Sequence, residues 1–295
     1  MQNIINIILR GVGQVMFQNN ALSGLLMLAG IAISDWRAAM LALAGNIAGN
    51  LAAIACRYPA KEIGDGLYGF NGTLVGIATG VFFRFGWIII LQLIAGAVLS
   101  TWLTRFFLLI RKPGYTAPFI LSTWALLGIA ALLTPTLRSE TTIEIITLSP
   151  RWFQAFSLHF GQVMLQGASV ITGLCFIAGI AVNDRLAFLY ALWGAMLPLT
   201  IVFLLHDFGE YNMGLYGYNA VLCAIALTGY TTRDFVWATL AILLSITLQW
   251  TGITAGIVTL TSPFVIAVWA VSGLKHFCWK EEIIHKKYRS FPLEW

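Results

Sequence analysis

The sequence predicts an all-α polytopic membrane protein with ten transmembrane helices, arranged as two inverted repeats of five. Three observations lead to this prediction: the composition, an internal repeat and the distribution of lysine and arginine. Of the 295 residues, 59% are hydrophobic and 10% are charged, whereas soluble domains carry roughly 25% charged residues. Apolar runs recur from residue 21 to residue 277 and leave no stretch for a separate catalytic domain. We therefore expect no enzymatic activity.

The internal repeat consists of three motifs that recur in the same order. The sequence GQVM at Gly13–Met16 returns 148 residues later, and GLYGFNGTL, which begins at Gly66, returns as GLYGYNAVL at the same spacing. TAPF at Thr116–Phe119 returns as TSPF at Thr261–Phe264, 145 residues later. The ordered set predicts two copies of one unit, residues 1–147 and 148–295, joined by the polar stretch 136–149.

Each half contains five apolar segments that are expected to span the membrane. They cover 20–34, 37–56, 70–84, 86–107 and 117–134 in the first half, and 168–182, 186–205, 218–232, 234–252 and 262–277 in the second. Several are shorter than the roughly 20 residues that a bilayer requires. Short segments at matching places in two halves are typical of a pore or binding site at the repeat interface.

One polar segment leads into the third span of each half, at 59–70 in the first half and at 206–218 in the second. Both are too polar and too short to cross a bilayer, so each is expected to form a re-entrant half-helix, which is tolerated only beside protein or a water-filled path. Residues 1–14 are expected to form a short helix that lies against the protein or the membrane interface.

An odd number of spans per half makes the second half enter the membrane from the opposite side. With both termini cytoplasmic, all but four of the 17 lysines and arginines fall on the cytoplasmic side, the exceptions being Arg37, Arg84, Arg138 and Arg151. Lysine and arginine collect in cytoplasmic loops of membrane proteins. The bias therefore predicts a multi-pass protein with both termini in the cytoplasm.

The segments GQVMFQNNALSG (13–24), GLYGFNG (66–72) and PGYTAPF (113–119), with their second-half counterparts, resemble the bacterial urea transporters. Members of that family are inverted-repeat channels that assemble as homotrimers, with a pore through each subunit at the repeat interface. The resemblance implies passive urea transport across the bacterial cytoplasmic (inner) membrane, with urea and the lipid bilayer as partners. It implies no metal, cofactor or nucleic acid. It also fits a metabolic link to a cytoplasmic urease, because incoming urea needs a sink.

A urea pore has clear chemical requirements. Urea is small, planar, neutral and polar, and an unpaired buried polar group costs roughly 1–3 kcal/mol. Its amide groups therefore need acceptors as water is removed, while its flat faces tolerate apolar walls. A narrow slot with aromatic sides and a line of oxygens along one edge meets both needs, and it rejects ions because no full counter-charge replaces their hydration.

The resemblance assigns six matched pairs of residues to the pore. Glutamines anchor the oxygen ladder, aromatic rings form the slot, leucines and threonines lie at the centre, and valines follow the glutamines. The pairs are Gln14 and Gln162, Val15 and Val163, Phe17 and Leu165, Phe70 and Tyr218, Leu74 and Leu222, and Thr116 and Thr261.

This chain departs from the family pattern at four positions. Gln162 stands where glutamate is common, which makes a proton-dependent step less expected. Tyr218 replaces a phenylalanine, Leu165 replaces an aromatic residue, and Val258 replaces the first proline of the second P-x-x-T-x-P-F motif.

The alternative is a channel for another small neutral solute, namely ammonia, short amides or water. Water and glycerol channels carry paired Asn-Pro-Ala motifs, which this sequence lacks. Ammonia channels use paired pore histidines, whereas the first half of this chain has no histidine. Glycines such as Gly45, Gly49 and Gly76 are expected to permit close helix packing.

Overall fold

The computed structural model describes residues 3–133, 149–204 and 208–289, with side chains as far as Cys278. Within these residues the chain forms 14 α-helices. The first seven are α1 (Ile4–Gln14), α2 (Ala21–Ser34), α3 (Trp36–Ala55), α4 (Ala60–Gly64), α5 (Gly69–Phe82), α6 (Trp87–Leu109) and α7 (Ala117–Leu133). The next seven are α8 (Trp152–Gly161), α9 (Val170–Asn183), α10 (Arg185–Phe203), α11 (Phe208–Asn212), α12 (Tyr218–Ala226), α13 (Thr232–Thr254) and α14 (Ser262–Arg289). The two series match one to one in order.

Four of these helices, α3, α6, α10 and α13, are long and apolar enough to cross a membrane, at 19 to 23 residues each. The shorter apolar helices include α2, α5, α7 and α9. The described residues are therefore all α-helical, as predicted, and the helices have the lengths and composition of a multi-pass membrane protein. The predicted boundary at residues 147 and 148 lies outside the described residues, and so does Arg138. The predicted linker at 136–149 also lies outside them, except for its last residue.

Aspartates define the corners where α2 meets α3 and where α9 meets α10. Asp35 and Asp184 both have extended backbone, and each ends one helix and caps the next. Asp35 accepts a hydrogen bond from the backbone N–H of Arg37 at 2.8 Å, and Asp184 accepts two at 2.9 Å from the second helix of its pair. A side-chain acceptor at this position satisfies backbone donors that a helix start leaves unpaired.

One predicted span is wrong at its end. The span expected over 218–232 is helical only to Ala226, a helix of nine residues. Leu227 leaves the helical region at φ −109° and ψ 19°. Thr231 then caps α13 in a capping box with Asp234, so the residues between the two helices form a turn.

Helices α1 and α8 enter the interior rather than lie on a surface. Ile4 at the start of α1 is 72% exposed, whereas Gly11, Val12 and Gly13 near its end are buried. At 11 residues α1 is about 16 Å long, roughly half the hydrocarbon thickness. The polar segments predicted to form half-helices hold only the five-residue helices α4 and α11, each followed by a left-handed glycine, Gly66 at φ 77° and Gly214 at φ 72°.

One pair of hydrogen bonds between the two series is reciprocal. The indole N–H of Trp124 on α7 donates to the carbonyl of Val258 at 2.8 Å. The indole of Trp269 on α14 donates to the carbonyl of Pro113, also at 2.8 Å. Each donor and each acceptor is matched by the residue 145 positions away in the other half.

Candidate functional site

The two matched glutamines have the same environment. Gln14 lies at the end of α1, and its side-chain nitrogen donates to the carbonyl of Asp65 at 3.0 Å. Gln162 follows α8, and its side-chain nitrogen donates to the carbonyl of Met213 at 2.9 Å. Because a backbone carbonyl only accepts hydrogen bonds, each glutamine must turn its NH₂ group to that carbonyl and its own oxygen elsewhere.

The chain reverses direction just after each glutamine. Phe17 at φ 61° and Leu165 at φ 57° are both left-handed, although neither is glycine. The turns are held by Gln18 and Gln166, whose side-chain nitrogens donate to the carbonyls of Met16 and Met164 at 2.7 and 3.2 Å. A strained backbone persists only where its surroundings determine it, and here matched hydrogen bonds do so in both halves.

The central threonines are in direct contact. Thr116 and Thr261 are both buried, and their hydroxyl oxygens are 2.7 Å apart. Each follows a left-handed residue, Tyr115 at φ 47° and Leu260 at φ 50°. The structure therefore brings this predicted pair together at the point where α7 and α14 begin.

Two matched asparagines form hydrogen bonds with the first turns of α7 and α14. The oxygen of Asn71 accepts from the backbone N–H of Phe119, and the oxygen of Asn219 accepts from that of Phe264, both at 3.2 Å. Their nitrogens donate to α6 and α13, to the hydroxyl of Thr104 and the side-chain oxygen of Gln249.

The apolar predicted residues share one buried cluster. It contains Val15, Val163, Leu74, Leu222, Phe70 and Tyr218, with Phe17 and Leu165 packed against it. Leu74 and Leu222 have no exposed surface.

A cavity of about 190 Å³ lies on the first-half side. Three predicted residues line it, Gln14, Phe17 and Phe70, together with Thr104 and Tyr115. Leu165 does not share this cavity; it lines a separate one of about 160 Å³. The lining of the first-half cavity is mainly apolar and aromatic, with polar groups from Gln14, Thr104 and Lys112.

An ion pair joins α6 to α4, the short helix that precedes the cavity residue Phe70 in the chain. Arg105 donates to both carboxylate oxygens of Glu62, at 3.2 and 3.0 Å, and its guanidinium lies 5.3 Å from the ring centre of Tyr58. The Tyr68 hydroxyl also donates to Glu62. Burial raises the pKa of the Tyr68 phenol well above its usual range, and the bond to Glu62 raises it further. Tyr68 is therefore a neutral donor at physiological pH.

Sequence reasoning missed three contributors to the site. The carbonyl groups of Tyr115 and Leu260 are presented beside the threonines by left-handed backbone, which residue types do not reveal. Gln249 had a detectable signal, because it is a polar side chain in an otherwise apolar stretch of α13 and is buried there.

His159 has a packing role. Its Nδ1 lies 3.0 Å from the carbonyl of Ala195, so this nitrogen carries the proton. The matched positions in the first half are Gly11 and Asn46, and a Cβ atom on Gly11 would lie 2.5 Å from the Asn46 amide. In the second half the large side chain, His159, belongs to α8 and meets the small Ala195 of α10. In the first half the small residue, Gly11, belongs to α1 and meets the larger Asn46 of α3.

The model of the urea transporter family matches residues 5–276 of this chain. Among curated proteins, Urea transporter 1 of Rattus norvegicus is 28% identical over 238 residues, and the proteins of that name in Mus musculus and Ovis aries are 27% and 26% identical over 246 and 247 residues. These matches include 75% of this chain but only 62% of each relative, so the chain spans less than two thirds of their length. The family match extends over both helix series and every residue pair described above, and the chain belongs to the urea transporter family.

Proposed function

We propose that this protein conducts urea passively across a membrane, through a narrow pore in which the two halves meet. The observation that carries the proposal is the bond between Thr116 and Thr261, which joins matched residues of the two halves inside the protein. The family match supports urea as the solute.

The proposal includes an architecture of two inverted repeats, residues 1–147 and 148–295, with ten transmembrane helices. Reciprocal contacts support it. Under a two-fold axis, a contact between a residue of one half and a residue of the other implies a second contact between their two counterparts. The bond from Trp124 to Val258 and the bond from Trp269 to Pro113 are such a pair. The short helices α5 and α12 fit this arrangement because they lie beside the predicted pore rather than in lipid alone. In each repeat, α1 or α8 serves as the re-entrant half-helix, since its end is buried.

Permeation then depends on replacing the water around urea with protein acceptors. The side-chain oxygens of Gln14 and Gln162, the carbonyl of Tyr115 and the threonine hydroxyls supply them, while Phe17, Phe70 and Tyr218 enclose the faces of the solute. Val15, Val163, Leu165, Leu74 and Leu222 complete the walls. No member of the six pairs is ionisable near neutral pH, although Lys112 lines the first-half cavity. We therefore expect no proton coupling through the pairs and no conduction of ions between them.

The setting of the pore is also part of the proposal. We place both termini in the cytoplasm because of the lysine and arginine bias, in a bacterial inner membrane. We further propose a homotrimer with one pore per subunit and urease as a cytoplasmic consumer of the urea.

A comparison of solute fluxes tests the proposal. Purified protein in liposomes is mixed rapidly with urea, formamide, ammonia, glycerol or an impermeant osmolyte, without an ion gradient, and vesicle volume or internal pH is followed. We expect urea flux well above that of empty vesicles. Urea flux equal to that of empty vesicles, with faster ammonia or water flux, would replace urea with the alternative solute.

A further inference from the structure

The two halves of the site differ in chemistry at three matched positions. Phe70, Thr104 and Gly114 line the first-half cavity. Their second-half counterparts are Tyr218, Gln249 and Thr259. Every replacement is larger and adds hydrogen-bonding capacity.

The three larger side chains form one buried network. The Tyr218 hydroxyl donates to the carbonyl of Leu260 at 2.6 Å, and the Thr259 hydroxyl donates to the side-chain oxygen of Gln249 at 2.8 Å. The same oxygen of Gln249 accepts from Asn219 at 3.1 Å. Tyr218, Gln249 and Thr259 are each exposed by 9% or less. The Tyr218 hydroxyl meets the other two side chains through longer contacts, 3.4 Å to the Gln249 oxygen and 3.5 Å to the Thr259 hydroxyl. Buried hydrogen bonds of this kind restrain the side chains that make them.

This network lowers the hydrogen-bond acceptor capacity that the second half presents to a solute. The carbonyl of Tyr115 has one long contact among the described residues, with the Asn71 nitrogen at 3.5 Å. The carbonyl of Leu260 makes the same long contact with Asn219 but also accepts the short bond from Tyr218. A carbonyl has two lone pairs. The first half therefore retains acceptor capacity that the second half has used.

We propose that Tyr218, held by Gln249 and Thr259, forms the selectivity-determining constriction of this channel, which admits urea and excludes N-alkylated ureas. The proposal rests on the proposed function. It makes the path asymmetric. The first-half mouth is wider and retains acceptor capacity, whereas in the second half Tyr218 narrows the mouth and occupies the carbonyl of Leu260. Methylurea is the informative solute because it retains the urea core and adds one methyl group.

The test compares urea and methylurea fluxes in liposomes for the wild type, Tyr218→Phe and Gln249→Thr, which restore the first-half residue types. Tyr218→Phe removes the hydroxyl and frees the carbonyl of Leu260, so we expect it to raise the methylurea-to-urea flux ratio by about threefold or more. Gln249→Thr releases the network from the other end and changes the ratio in the same direction. If Tyr218→Phe does not fold, Gln249→Thr carries the test.

Tyr190→Phe is the matched control. The hydroxyl of Tyr190 also donates to a backbone carbonyl, that of Gly229 at 2.7 Å, but away from the six matched pairs. We expect its flux ratio to equal that of the wild type. An unchanged ratio in monodisperse Tyr218→Phe, or loss of urea flux in this variant, would overturn the constriction. Absence of urea flux in the wild type would instead overturn the proposed function.

Discussion

The hydroxyl oxygens of Thr116 and Thr261 lie 2.7 Å apart and join the starts of α7 and α14. Replacement of one partner by valine keeps the shape but leaves the other hydroxyl buried and unpaired, which costs about 1–3 kcal/mol. We expect Thr116→Val to lower the free energy of unfolding by about this amount, as measured by thermal unfolding in detergent. We also expect a urea flux about three- to tenfold lower, because one acceptor is lost from the path.

The double variant Thr116→Val/Thr261→Val separates the two effects. Removal of both hydroxyls leaves no unpaired group, so stability should recover in part while flux remains low. Thr101→Val is a matched control, since the Thr101 hydroxyl donates to the carbonyl of Gly49 between α6 and α3. Recovery of flux together with stability would show that the threonines only hold the two helices together.

The glutamine anchors lead to a second prediction. In Gln14→Leu and Gln162→Leu, the carbonyls of Asp65 and Met213 lose their side-chain donors and the path loses an acceptor. We expect lower urea flux in both, by a similar factor because the two environments match, in stopped-flow light scattering. Gln154→Leu is the control: Gln154 also donates to a backbone carbonyl, that of Asn212 at 3.3 Å, but near the outer end of α8. Equal losses in all three variants would argue against a pore role.

Most of the helical organisation follows from sequence, for identifiable reasons. Apolar runs end where Asp35 or Asp184 supplies a cap, and Ala117 and Ser262 begin their helices where predicted. The end of α12 was missed although 227–231 reads Leu-Thr-Gly-Tyr-Thr, in which Gly229 is a helix-ending signal and Thr231 caps α13. The predicted span extends through these residues because it matches the length of its first-half counterpart.

The site was less predictable than the helices. Repeat positions identified the residues of Thr116 and Thr261, but not that their hydroxyls touch. The Tyr218 hydroxyl bonds to the carbonyl of Leu260, which is 42 residues away in the chain. Leu260 has left-handed backbone, and its residue type does not predict that conformation. The half-helix assignment at 59–70 and 206–218 stays a prediction, and each segment holds a five-residue helix. The burial of the α1 terminus was not predicted, since it is decided by the neighbours of α1.

The reciprocal tryptophans give a third prediction. Trp124→Phe and Trp269→Phe each remove one indole N–H that bonds to a carbonyl of the other half. We expect each to lower the free energy of unfolding by about 0.5–1.5 kcal/mol, and by similar amounts, since the contacts are equivalent. Trp102→Phe, at an exposed position on α6, is the control. If only one of the pair matters, the two-fold relation is not reflected in stability.

Close packing of backbones gives the last prediction. A Cβ atom on Gly24 would lie 1.8 Å from the carbonyl oxygen of Leu9, and one on Gly173 would lie 1.9 Å from that of Ser157. Both obstacles are backbone atoms, so no side-chain movement relieves them. We expect Gly24→Ala to push α1 away from α2 and to cost at least about 1–3 kcal/mol of stability.

This change should also reach the site, because α1 ends at Gln14. Gly24→Ala protein that still folds should therefore conduct less urea, in the same flux measurement. In Gly128→Ala the new methyl group meets nothing within 4 Å, so stability and flux should be retained. Normal flux in folded Gly24→Ala would mean that Gln14 does not depend on the α1–α2 contact for its position, and that its bond to Asp65 alone fixes the side chain.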